Sequence, residues 1–169
     1  MREIIIASGN KEKIKEVQEI FGESVKVISI KDIGMDIDIA EDQETFEGNA
    51  MKKAETIAKK LNDGRFVIAD DSGIEVDFLN GFPGVRTKRW FDGTDRERNL
   101  ALIAKLEGIS KENRKMKFVT AIAISNGKES FCELGILKGF VAEKPRGQNG
   151  FGFDEIFELG NRKNFSRTF

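Results

Sequence analysis

The chain has 169 residues, of which 34% are charged, yet its formal net charge is only −1. That length is read as one domain, 1–169, with its own core, and the near-neutral balance excludes a global basic field that would recruit nucleic acid. The sequence contains no histidine and one cysteine. Ser-His-Asp and Cys-His catalysis are therefore excluded, the commonest zinc ligand is missing, and acid–base work falls to carboxylates, lysine, the thiol or metal-bound water. Cys132 stands in an apolar context and reads as a small core residue. A lone cysteine excludes an intrachain disulfide framework and fits a reducing, cytoplasmic compartment. No apolar run approaches the length of a membrane span, so no membrane partner is expected.

Glu3–Ala7 is a short β-branched run and predicts a buried first strand. It stops at Ser8-Gly9-Asn10, and a helical pattern follows at once, with Ile14, Val17, Ile20 and Phe21 expected on one face. A strand, a small polar turn and a helix N-terminus form an order that suits anions, since free backbone N–H groups and the helix dipole attract negative charge. Lys11 and Lys13 add positive charge, and Gly9 permits close approach of the backbone. The spacing is not that of a P-loop. An ordinary capped helix with solvated lysines is the alternative. Residues 25–30 read as a second, partly exposed strand. The segment 31–44 crowds Asp36, Asp38, Glu41, Asp42 and Glu44, either as a solvated surface or as a source of carboxylates for a cation. Thr45 is a plausible N-cap for a long amphipathic helix carrying Phe46, Ala50, Ala54, Ile57, Ala58 and Leu61. Asn62-Asp63-Gly64 is its stop. Asn49, near the first turn, is placed to reach either a cleft or a neighbouring backbone group.

The next stretch, FVIADDSGIEVDFLNGFPGVRTKRW (66–90), organises the rest. The apolar run 66–69 predicts a buried strand that delivers Asp70 and Asp71 and then Ser72-Gly73 to its C-terminal end. Neighbouring acids on a strand point to opposite sides and so take different partners. One reading places a carboxylate on a cation or a polarised water at the strand ends of an α/β sheet; the other is an acidic turn. Alternation then resumes with Ile74, Val76 and Phe78, and Asn80-Gly81 and Pro83-Gly84 supply turns. Beyond Trp90, residues 95–107 read as a helix with Leu100, Ile103 and Leu106 inward, followed by a charged linker over 108–115. Residues 118–125 and 129–137, separated by Asn126-Gly127, predict a hairpin. The glycine-rich PRGQNGFGFD (145–154) could stack a planar base on an aromatic beside bare amides, or serve as a loop with a phenylalanine anchor. Helices alternate with strands early and hairpins dominate later. The expected fold is α/β, a mixed twisted sheet flanked by helices, with two lobes and a central cleft.

Four ordered segments carry a resemblance. SGNKEK (8–13) is similar to a [ST]-G-N-x-x-K phosphate loop, and AEDQETFEGNA (40–50) resembles an acidic segment leading into a T-F-x-x-N-A helix. ADDSGIEVDFLNGFPGVRTKRW (69–90) is similar to a central signature, and EKPRGQNGFGFD (143–154) resembles an E-P-R-G-x-x-G-F-G-[YFW]-D loop. Together they resemble the inosine triphosphate pyrophosphatase-like proteins, also called the Ham1 or non-standard purine NTP pyrophosphatase family.

The resemblance implies Mg²⁺-dependent hydrolysis of ITP, dITP and XTP to the monophosphate and pyrophosphate, by a homodimer with a purine nucleoside triphosphate as its substrate and no stable nucleic-acid partner. It implies that Ser8, Gly9, Asn10, Lys11, Glu12 and Lys13 hold the triphosphate and that Glu41 and Asp71 coordinate Mg²⁺. Asp71 is also the implied proton acceptor, with Asp70 beside it. Ser72 touches substrate, and Phe151, Gly152, Phe153 and Asp154 pack around the base. The residue types agree: lysine, helix amides and Mg²⁺ neutralise a polyanion so that water can approach, and a carboxylate takes its proton. Two departures stand out. Glu155 occupies a place where proline is usual, and the family's S-H-R segment, which contacts the base, has no counterpart before Phe169. The C-terminal segment is therefore expected to be absent, with Lys163 or Arg167 as partial substitutes. Two other classes remain: a nucleotide-binding protein with poor turnover, and an RNA-binding module using Arg86, Lys88, Arg89 and Trp90.

Overall fold

The β-branched residues Ile4, Ile5 and Ile6 are buried in the first strand, β1 (Arg2–Ile6), of a computed structural model that describes residues 2–35, 37–147 and 152–160. The chain continues through α1 (Lys11–Phe21), β2 (Val25–Ser29), α2 (Phe46–Leu61), β3 (Phe66–Val76), β4 (Phe82–Pro83), α3 (Asp95–Ala104), β5 (Lys115–Ser125), β6 (Ser130–Val141) and β7 (Phe157–Glu158). Among the described residues the strands form one mixed sheet in the order β2-β1-β3-β5-β6-β7, with β4 added to β3. β1 runs parallel to β2, Ile5 opposite Ile28, and parallel to β3, Ile5 opposite Val67. β4 pairs antiparallel with β3, and β7 with β6. The mixed α/β class expected from alternating helices and strands is the class observed.

The chain divides into two compact units. The first comprises residues up to 71 together with 120–135. Its core gathers Ile5, Ile30, Ile57, Ala58 and Val67 from β1, the end of β2, α2 and β3. Thr45 caps α2, its hydroxyl accepting the Gly48 N–H at 3.0 Å, and Asn62 ends the helix in the left-handed region at φ 49°. α1 is more peripheral, and none of its residues is fully buried. Ile20, expected inward, is 81% exposed. At 100° per residue it lies roughly 120° from Ile14, off the stripe that Ile14, Val17 and Phe21 share. Gln18 joins this helix to β2 instead, donating to the carbonyls of Gly22 and Val25 and accepting the Val27 N–H.

The second unit comprises 72–119 and the residues from 136 onward. Its core includes Ile74, Val76, Leu102, Leu106, Met116, Val141, Ile156 and Phe157. Fully burying each large side chain contributes about 1.5–3 kcal/mol. Leu100, expected inward, is 46% exposed; Asn99 takes the inward position beside Leu102 and Leu106. The linker after α3 buries Arg114, whose guanidinium donates to the carbonyls of Leu106, Val141 and Ala142 at 2.8–3.0 Å. Three carbonyl dipoles thus stand in for a counter-ion.

The third strand departs most from expectation. The acids were expected at its end, yet β3 continues without a break through Asp70, Asp71, Ser72 and Gly73 to Val76. Pairing of Glu75 and Val76 with β4, and the neighbouring β5, carry the ladder past the polar residues. Strand hydrogen bonds belong to the backbone, so side-chain polarity alone does not end a strand.

Candidate active site

In the first unit, β1 hands the chain to α1 through Ser8-Gly9-Asn10. Asn10 is the N-cap, its Oδ1 accepting the Glu12 N–H at 2.9 Å, and Ser8 Oγ accepts the Asn10 N–H at 3.1 Å. The turn is tied to the end of β2 because Ser29 Oγ donates to the Ser8 carbonyl at 2.9 Å. A Cβ on Gly9 would fall 2.5 Å from Lys31 Cε and 2.9 Å from its Nζ, so a side chain there would displace a lysine lying across the turn. Lys11 and Glu12 are exposed at the open end of the helix, whose first-turn amides favour anions.

Asp70 and Asp71 take separate partners, as adjacent strand residues must. The Asp70 carboxylate is paired with Lys13 of α1. Asp71 is 3% exposed and accepts the Asn49 amide of α2 at 2.9 Å. Asn49, itself 1% exposed, accepts the Gln43 N–H on its other face at 2.9 Å. Of the two destinations considered for this amide, the neighbouring backbone group is reached, and its other partner is a buried carboxylate. Lys53, one turn further along α2, donates to Glu41 Oε1 at 2.9 Å and to the Asp70 carbonyl at 2.5 Å. Lys52 fixes the same acidic segment by contacts to Asp42 (2.7 Å) and to the Ala40 carbonyl (3.0 Å). Its ammonium holds the Asp42 carboxyl below the usual carboxylate range, helped by the Gln43 amide. Two ammonium groups, Lys13 and Lys53, and three carboxylates, Glu41, Asp70 and Asp71, from four stretches of sequence are thereby gathered along the middle of β3. Lys53 is absent from the residues picked out in the sequence, since one more lysine on an amphipathic helix is indistinguishable from its solvated neighbours.

In the second unit, Ser72 is half-buried within β3. Arg146 of the glycine-rich segment reaches Glu158 Oε1 at 3.0 Å, and Lys111 reaches its other oxygen at 2.7 Å. The Arg146 N–H donates to the Glu155 carbonyl at 2.7 Å. Phe153 is 5% exposed and packs in the core, and Asp154 opens a short helical turn over 154–156. Phe151, Lys163 and Arg167 lie outside the described residues. Trp90 meets Phe82 in a T-shaped contact at 5.1 Å and tilts against Phe91 at 5.4 Å, with the Lys105 ammonium 5.9 Å from its ring centroid. The half-buried Cys132 thiol is pushed above its ordinary pKa, first by burial and then by the Glu47 and Glu133 charges.

Residues 4–168 match the Ham1 family. The chain belongs to it. Among curated relatives of this Ham1 chain, the dITP/XTP pyrophosphatase of Bacillus licheniformis is 43% identical over 165 residues, covering 93% of this chain and 81% of the relative. That of Bacillus subtilis is 44% identical over 163 residues, covering 93% and 80%. A Ham1 protein from Coxiella burnetii superposes with a TM-score of 0.87 at 34% identity, covering 98% of this chain and 86% of its own. The Staphylococcus aureus Ham1 protein gives 0.87 at 37% identity, covering 98% and 85%. The family and the mixed α/β sheet flanked by helices, both read from the sequence, are borne out. The described residues include no helix long and apolar enough to cross a membrane.

Proposed function

We propose that this Ham1 chain hydrolyses deaminated purine nucleoside triphosphates (dITP, XTP and ITP) to the nucleoside monophosphate and pyrophosphate. Membership of the family and the names of its relatives support the reaction class. The observation that carries it is the convergence on Asp70 and Asp71 of Lys13, Asn49 and Lys53. A polyanionic substrate needs cations, and an attacking water needs a carboxylate; Lys13 and Lys53, from two helices, meet the neighbouring residues Asp70 and Asp71 of one strand.

In this reading the Ser8–Lys13 turn binds the phosphates through the α1 amides and the Lys11 and Lys13 ammonium groups. Water attacks the α-phosphorus, a new P–O bond forms, the bond to the α–β bridging oxygen breaks, and pyrophosphate leaves with that oxygen. The water's proton passes to the Asp71 carboxylate, which returns it to solvent. Asn49 holds Asp71 through one oxygen and so fixes its orientation. Asp70 keeps Lys13 at the mouth of the turn. Ser72 and the segment from Phe151 to Asp154 are assigned to the nucleoside. The same reading takes residues 1–169 as a single domain and includes a homodimer in the cytoplasm.

Mg²⁺ belongs to this reading, with Glu41 and Asp71 as its protein ligands. The described residues contain no group of three or more His, Cys, Asp or Glu side chains placed to hold an ion. Two carboxylates nevertheless fit Mg²⁺, which keeps waters and takes substrate phosphates to complete its shell. Lys53, resting on Glu41 and on the Asp70 carbonyl, is a cation already accommodated there. When bound, the ion neutralises phosphate charge.

The test is pyrophosphate release from dITP and from dATP, with and without Mg²⁺, in the wild type and in Asp71→Asn. The expected result is Mg²⁺-dependent release from dITP, reduced at least about 10²-fold in the variant, the usual scale for a lost general base. Binding of dITP without turnover would overturn the enzyme reading and leave a nucleotide-binding protein.

A further inference from the structure

We propose that Asn99 is the positioning residue of 152–155, at the end of the glycine-rich loop, and that through these residues it sets how well the chain distinguishes one purine from another. The inference rests on the assignment of that loop to the nucleoside.

Asn99 occupies an inward position of α3 that hydrophobic patterning gives to leucine, and it is 1% exposed. A buried amide is costly unless bonded, so its partners reveal why it is tolerated. Both donor contacts go to the loop: Nδ2 reaches the Gly152 carbonyl at 2.7 Å and Glu155 Oε1 at 2.8 Å. The reversed amide would set its oxygen against a carbonyl and a carboxylate, so this orientation is fixed by the network. The Gly152 N–H donates to Asp95 Oδ2 at 3.1 Å, one turn earlier on the same helix. The N–H and the C=O of Gly152 therefore both end on α3, across a residue held at φ +63°.

The holders are themselves held. Arg98 pairs with Asp95 at 3.1 Å and lies 6.0 Å from the centroid of the Phe153 ring, while Arg96 reaches Glu155 Oε2 at 3.5 Å. With its N–H and its C=O both bonded to α3, Gly152 is a fixed pivot. Its contribution is to aim Asp154, two residues on. Discrimination between a 6-oxo and a 6-amino purine depends on pairing polar groups in register. A displacement of about an ångström weakens the correct pair more than it weakens phosphate binding, which is assigned to other residues.

The experiment uses the full chain and three readouts: kcat and KM for dITP, the same for dATP, and the inhibition constant of inorganic tripolyphosphate. Asn99→Ala is expected to lower the dITP-to-dATP ratio of kcat/KM about tenfold, mainly through KM for dITP, with tripolyphosphate inhibition within about twofold of wild type. Glu155→Leu removes one acceptor without opening the core and should shift the ratio the same way by about threefold. Glu155→Gln keeps the Oε1 acceptor and should preserve the wild-type ratio. An unchanged ratio in folded Asn99→Ala overturns the proposal, as does a tripolyphosphate constant that rises in step with KM for dITP. If Asn99→Ala does not fold, Glu155→Leu decides, and an unchanged ratio there has the same force. Absence of dITP turnover in the wild type would overturn the functional reading itself, a failure visible before any variant is made.

Discussion

Asn49 bridges the acidic segment and the buried carboxylate of β3, and its removal has a calculable cost. Asn49→Ala deletes the bond to Asp71, worth about 1.5–3 kcal/mol because its acceptor is charged, and the bond from Gln43, worth about 1 kcal/mol. A loss of about 3 kcal/mol is expected, or roughly 6–12 °C in Tm for a chain of this size. Asn49→Asp is nearly isosteric and keeps an oxygen for the Gln43 N–H, but it sets a second carboxylate against Asp71. Burial and like charge raise the pKa of such a pair in the folded state. A folded-state pKa above the unfolded value means stability that is present at low pH and lost as pH rises through the folded value. Asn49→Asp should therefore fall further below wild type at pH 8 than at pH 5, whereas the deficit of Asn49→Ala should vary little. Urea unfolding followed by circular dichroism at both pH values measures this. A deficit below about 1 kcal/mol for Asn49→Ala, or a pH-independent Asn49→Asp, would refute the account of Asp71 as a carboxylate held by this amide.

Two further predictions concern stability. Arg114→Met leaves the carbonyls of Leu106, Val141 and Ala142 without their donor and should cost about 3–5 kcal/mol by chemical unfolding; a loss under about 1 kcal/mol would mean that water replaces the guanidinium. Thr94 and Glu97 cap α3 reciprocally, and Thr94→Ala should lower stability by about 1 kcal/mol. The Thr94 N–H, and after it the Thr94 hydroxyl, hold the Glu97 carboxyl below its ordinary pKa. The N–H contact survives in Thr94→Ala, whereas the hydroxyl's stabilisation, present above the ordinary glutamate value and lost as pH falls through the folded one, is removed. The gap between wild type and Thr94→Ala should accordingly narrow in acid, and a gap that widens there would contradict the capping geometry.

What the sequence by itself determined is what depends on neighbours in the chain. Hydrophobic period and cap chemistry act within one or two turns, so β1, the Thr45 start and Asn62 stop of α2, and the Asn126-Gly127 turn were all legible. The family was legible too, because four motifs in fixed order are improbable by chance. Tertiary structure decided the rest. The strand carrying Asp70 and Asp71 was expected to end there, but its length is set by partners elsewhere in the chain. Ile20 and Leu100 passed as inward residues because hydrophobicity does not say where a stripe is centred. Lys53, Asn99 and Arg114 gave no signal, since a lysine or asparagine on a helix, or an arginine in a linker, is usually solvated. What separates these three from their solvated counterparts is a carbonyl or carboxylate from a distant part of the chain brought within 3 Å, and only folding supplies it.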